Sequence, residues 1–151
     1  MSDLQCRSTG VSAAAWLVGG LLAAGGCWSG TPTMDYSKAG LVQVGGTVRL
    51  GGVPLTKAIV IFENPADGTH SFARTDAAGR YRLRFDSVQP GVTKGRKVVR
   101  IKTSGSLSEN DADAVPGKER VPPCYNAESK LAVEVTADSA ATDFDLDPAC
   151  G

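Results

Sequence analysis

From Leu41 onward the chain breaks into short runs rich in Val, Ile, Phe and Thr, separated by clusters of Gly, Pro, Asn and Asp, and none sustains a helical repeat. A chain punctuated in this way buries its apolar side chains by stacking strands. Seven candidate strands are readable, at residues 42–50, 57–64, 70–76, 80–85, 95–103, 131–137 and 142–147. In the first, Val42, Val44, Val48 and Leu50 share one parity, interrupted at Gly46, where a bulge or a close backbone approach is expected. The second is apolar on both parities at Ile59, Val60, Ile61 and Phe62, which predicts a strand in the middle of a sheet. Residues 76–79 make the tightest connection, with Asp76 and Gly79 at the positions that shape a type I turn with a left-handed exit. Beyond it Tyr81, Leu83 and Phe85 alternate with Arg80, Arg82 and Arg84, and later Val99 and Ile101 alternate with Arg100 and Lys102. Leu131, Val133, Val135, Phe144 and Leu146 give the last two strands an inner row, against an acidic outer row of Glu134, Asp143, Asp145 and Asp147. Residues 41–151 are thus expected to form one all-β domain, a seven-stranded antiparallel β-sandwich, because a single flat sheet would leave an apolar face in water.

Ahead of this domain stands an uncharged apolar run, residues 11–26, that stops at Cys27 after Ala24, Gly25 and Gly26. Its length of about 16 residues falls short of the roughly 20 that a membrane-spanning helix needs. Residues 1–26 read as a cleaved signal peptide, with Cys27 left as a lipid-bearing first residue and the remainder exported to face the periplasm or the cell exterior. The segment resembles the bacterial lipobox, small residues before an obligatory cysteine, with Ala24 where that pattern most often has Leu. An uncleaved anchor helix and ordinary signal-peptidase cleavage are the alternatives. Residues 27–40, rich in Gly, Ser, Thr and Pro, read as a flexible tether.

The 151 residues carry 16 basic and 16 acidic side chains, and removing Arg7 and Asp3 with the leader keeps the balance. A nucleic-acid binder needs a basic surplus to displace counterions, so nucleic acid is excluded as a partner. Of the four cysteines, Cys6 leaves with the leader and Cys27 takes lipid, so Cys124 and Cys150 remain for a disulfide in an oxidising compartment. Two independent thiols are the alternative. One histidine cannot build a two-His zinc site, and the sequence predicts neither a metal nor a cofactor.

An irregular stretch of about 26 residues, 104–129, separates the fifth and sixth strands and is longer than connections in compact domains usually are. Its Glu109, Asp111 and Asp113 read as solvated loop charge rather than a cation site. Tyr125 is its one aromatic residue. His70 reads as a solvated strand residue, not a general base, since no nucleophile elbow accompanies it. Lys57 lacks the late Asn that an isopeptide bond would require. Arg82, Arg84, Arg100 and Lys102, with Arg80, would make a cationic strip for an anionic ligand if their strands share a sheet. Cross-strand pairing with the acidic row is the competing expectation.

The run GGTVRLGGVPLTKAIVIFEN, followed by TDAAGRYRL and VVRIKT, resembles the carboxypeptidase regulatory-like domain, also called transthyretin-like, over residues 41–147. The matching positions are Gly46, Val48, Gly52, Pro54, Leu55, Ala58, Val60, Thr75, Asp76, Gly79 and Tyr81. The resemblance implies a prealbumin-like, Ig-like sandwich used as an accessory or surface module, and the zinc peptidase to which that family is often attached has no counterpart in this chain. The expectation is a non-enzymatic, lipid-anchored envelope module in structural or protein-association work, with membrane, envelope protein or polysaccharide as partners. A carbohydrate- or ligand-binding surface module is the alternative.

Overall fold

The computed structural model describes residues 40–107 and 111–150; Cys27, the leader, nearly all of the tether and Glu109 lie outside the described residues. The described part is nearly all β, with strands β1 (Gly45–Leu50), β2 (Val53–Pro54), β3 (Ile59–Glu63), β4 (His70–Arg74), β5 (Arg80–Arg82), β6 (Gly95–Lys102), β7 (Ala132–Val135) and β8 (Phe144–Leu146), plus one 3-10 turn at Pro123–Tyr125. Every stretch expected to be a strand contains one, and the short β2 is additional.

Two sheets form. In one, β1 is central: β5 and β2 pair antiparallel with it, at Gly46 opposite Tyr81 and at Leu50 opposite Val53. In the other, the order is β4-β3-β6-β7, all antiparallel, with Ile61 opposite both Phe72 and Arg100. The doubly apolar β3 therefore has a strand on each side, as its composition requires. One pair departs from the antiparallel expectation: β8 runs parallel to β1, with Val48 opposite Phe144 and Leu50 opposite Leu146. The reason is topological, since β7 and β8 lie in different sheets and the chain crosses from one to the other before joining β1. The sheets also meet at a corner where Phe72 and Arg84 exchange backbone hydrogen bonds of 2.9 and 2.8 Å.

The core fills the space between the layers. Val44, Val48, Tyr81, Leu83 and Leu146 come from one side, and Val60, Phe62, Ala73, Val99, Ile101 and Val135 from the other, all buried. Phe62, Tyr81 and Phe144 form an aromatic cluster with ring centroids 6.1–6.4 Å apart, the separation at which tilted and offset pairs attract. The Tyr81 ring lies in the core and its hydroxyl donates to the Thr142 carbonyl at 2.6 Å. Burial, and the nearby Asp143 charge, raise its phenol well above the ordinary value, so it stays a neutral donor.

Local chemistry explains the turn before β5. Asp76 Oδ1 accepts from the N–H groups of Ala78 and Arg80 at 2.8 and 2.9 Å, and Gly79 has φ of 73°. A Cβ on Gly79 would meet the Val48 carbonyl at 2.5 Å, so both the backbone angle and the space demand glycine.

The long connection is held to the outer face of the second sheet. Arg74 pairs with Asp111 at 2.5 Å. Arg100 bonds Glu63 at 2.9 Å and donates to the carbonyls of Asn126 and Ala127 at 2.8 and 3.0 Å. The Arg120 guanidinium reaches Thr56 O at 3.4 Å. Ile59, whose side chain has the outward parity of β3, is 1% exposed.

Glu119 is the main polar anchor of that loop. Its carboxylate accepts from Thr103 N and Oγ1 at 2.8 and 2.6 Å, from Ser104 N and Oγ at 3.1 and 3.0 Å, and from Arg120 N and Val121 N, both at 2.9 Å. Burial pushes this carboxyl up, and the hydrogen bonds from Thr103, Val121 and Ser104 outweigh it, holding it at about 2 against an ordinary 4.5. Such a group stabilises the fold above about pH 4.5 and loses that contribution as pH falls toward 2. After discounting for its solvent exposure, Glu119→Gln is expected to cost about 1–2 kcal/mol at neutral pH. Denaturant titrations at several pH values should show the gap between the two proteins closing in that acid window; a gap independent of pH would contradict this role.

Candidate functional site

The side chains expected to make one cationic strip divide between the two sheets. Arg82 lies on β5 and Arg84 just beyond it, whereas Arg100 and Lys102 lie on β6, with β3 and β4 between them. The strip is therefore not continuous, because residue alternation determines which face a side chain takes and says nothing of which sheet a strand joins. Arg100 is engaged by Glu63 and the loop carbonyls, and the Arg84 guanidinium donates to the Ser87 carbonyl.

What the structure gathers instead is a smaller constellation around β5. The β4–β5 hairpin sets Phe72 opposite Arg84 and bonds Asp76 N to Arg80 O, a register that brings Arg74 opposite Arg82. On the other side of β5, Gly45 faces Arg82 and Thr47 faces Arg80. An open groove of about 790 Å³ lies over β1 and β5, bounded by Gln43, Gly45, Thr47, Arg74, Arg80 and Arg82 and by the turn at residues 138–140. Gly45 itself is required by its neighbour, since a Cβ there would lie 2.7 Å from the Tyr81 carbonyl.

The acidic row does not neutralise these arginines. Asp143 Oδ1 accepts from Thr47 N at 2.6 Å, Asp145 from Gly52 N at 3.3 Å and Asp138 from Gln43 N at 2.7 Å. The carboxylates thus serve backbone N–H groups in β1 and in the residues flanking it. Ion pairs expected from strand alternation are replaced by charge-assisted bonds to backbone, and the Arg80 and Arg82 guanidinium groups have no ion-pair or hydrogen-bond partner among the described residues.

The other candidate positions have structural surroundings. His70 is exposed, 6.4 Å from the Phe72 ring. Lys57 is exposed in a turn with φ of 57°, its N–H on the Thr75 carbonyl. Asp111 and Asp113 share one loop turn, where Asp111 accepts from the N–H groups of Leu107 and Asp113 at 2.7 and 3.1 Å; the Leu107 bond is the largest of the influences that hold its carboxyl below the usual range. Tyr125 is half-buried, and its hydroxyl accepts from Asp147 N at 3.1 Å, so it fastens the C-terminal segment instead of offering a stacking face. Cys124 and Cys150 are at disulfide distance, with Cα atoms 6.3 Å apart, within the range the bond accepts. Among the described residues no three His, Cys, Asp or Glu side chains come together as a metal-binding group.

Two features go beyond the sequence expectations. Lys97 shares the parity of Val99 and Ile101 and is 1% exposed, its ammonium bonded to Thr93 Oγ1 and Lys94 O at 2.9 and 3.3 Å. Burial lowers its pKa, against the opposing charges of Asp67 and Glu134. Its inward position was legible from alternation alone. Arg74 as a neighbour of Arg82 was not, because only the folded hairpin register creates that pair. Comparison of the chain with protein-family models, with curated proteins and with solved structures finds no match.

Proposed function

We propose that this protein is a non-enzymatic, lipid-anchored module of the cell envelope, a carboxypeptidase regulatory-like sandwich of seven principal strands displayed on a tether from Cys27. The observation that carries the proposal is the apolar run at residues 11–26, which ends in Ala-Gly-Gly immediately before Cys27, ahead of an all-β unit whose two remaining cysteines sit at bonding distance. Both ends of the chain then fit one compartment, oxidising and beside a membrane. Acyl chains on Cys27 would hold the module by burial at about 0.8 kcal/mol per methylene, enough for stable attachment once more than one chain is present. A second role, ligand binding at the surface, is favoured by the groove beside Arg80 and Arg82. Its partners are envelope protein or polysaccharide, not nucleic acid.

Cys27→Ser tests the anchoring directly. Membrane fractionation of cells that make the variant should find it unprocessed or soluble. A variant that is still cleaved before residue 27 and still fractionates with the membrane would overturn the proposal.

A further inference from the structure

We propose that the groove over β1 and β5 binds a polyhydroxylated anion, a sugar unit that carries a phosphate or a carboxylate. The charge comes from Arg80 and Arg82, which stand two residues apart on the outward face of β5, their Cα atoms about 7 Å from each other. Both side chains are exposed, and neither guanidinium has an ion-pair or hydrogen-bond partner among the described residues. The planar fork of a free guanidinium matches two oxygens of a phosphate or carboxylate. Arg74, already held by Asp111, borders the groove without adding free charge.

The acids beside the groove decide the rest of the ligand. Asp76 and Asp138 each use Oδ1 on backbone N–H groups, and each has an Oδ2 with no partner among the described residues. Those oxygens repel a bare anion and accept hydrogen bonds from hydroxyl groups. Gln43 and Thr47 add an amide and a hydroxyl to the same walls. Tyr81, the one aromatic residue here, keeps its ring in the core, so the ligand is recognised by hydrogen bonds and charge, not by stacking. A volume of about 790 Å³ lies within the range of small-molecule sites and admits a short saccharide.

Calorimetric titration of the full chain in detergent at low salt tests this with four probes: glucose 1-phosphate, galacturonic acid, glucose and inorganic phosphate. At least one of the two sugar anions should bind saturably and more tightly than glucose or inorganic phosphate; which of the two binds tells phosphate from carboxylate. Arg80→Gln and Arg82→Gln should each weaken that binding about tenfold, while Arg96→Gln, on β6 in the other sheet, should leave it unchanged. Thermal melts of each variant separate lost binding from lost fold, and either of the two groove variants suffices if the other unfolds. The proposal is overturned if neither sugar anion binds saturably, if inorganic phosphate binds as tightly as the sugar anions, or if Arg96→Gln costs as much as the groove variants. The site does not involve Cys27, so the fractionation result leaves this test intact.

Discussion

Gly46→Ala is expected to destabilise the domain by about 3 kcal/mol or more and to lower its thermal midpoint by roughly 10 °C. The added Cβ would stand 2.1 Å from the Thr142 carbonyl oxygen and 2.5 Å from its carbon, both backbone atoms. Thr142 cannot retreat cheaply. Its N–H is bonded to Gly45 O at 3.0 Å, and its carbonyl receives the Tyr81 hydroxyl at 2.6 Å. Yielding would strip a buried phenol of its acceptor, itself a cost of about 1–3 kcal/mol. Thermal unfolding followed by far-ultraviolet circular dichroism reads the effect; a change within about 0.5 kcal/mol, as at an unconstrained surface site, would mean that the crossing segment does not pack against β1.

Removing the bond between Cys124 and Cys150 should have an effect of similar size. Closing a loop with a sequence separation of 26 residues is worth about 3–4 kcal/mol on the chain-entropy estimate, a substantial part of the roughly 5–15 kcal/mol of a whole domain. The bond ties the end of the loop to the segment that follows β8, and β8 supplies Phe144 and Leu146 to the core. A double Cys124→Ser, Cys150→Ser variant and the wild type under reductant should both lose stability by this amount in urea titrations. If reductant leaves the midpoint within about 1 kcal/mol of the oxidised protein, the two sulfurs contribute as separate thiols.

The strands were legible because alternation is a local signal. Tyr81 and Leu83 against Arg80 and Arg82, or Val99 and Ile101 against Arg100, need only neighbours in sequence. The turn at Asp76 and Gly79 was readable for the same reason, being complete within five residues. Sheet membership was not, because it depends on where the chain crosses between layers after β7, and no short stretch encodes that. This is why Arg82 and Arg100 look equivalent in sequence and occupy different surroundings in the fold. Glu119 shows the same limit from another side: its donors at residues 103–104 and 120–121 form no motif, and only the folded loop brings them round one carboxylate. The groove is assembled from three separate segments, and the engagement of its Asp138 by the Gln43 N–H rests on how those segments meet in the fold.

Intact-mass spectrometry of the native protein extracted from membranes bears most directly on the idea of a disulfide-closed β module held at a bilayer. It should find a chain that starts at Cys27, is heavier by its acyl groups and is lighter by the hydrogens lost in joining Cys124 to Cys150. A chain that starts at Met1, carries no added mass and keeps both of those thiols would contradict the account.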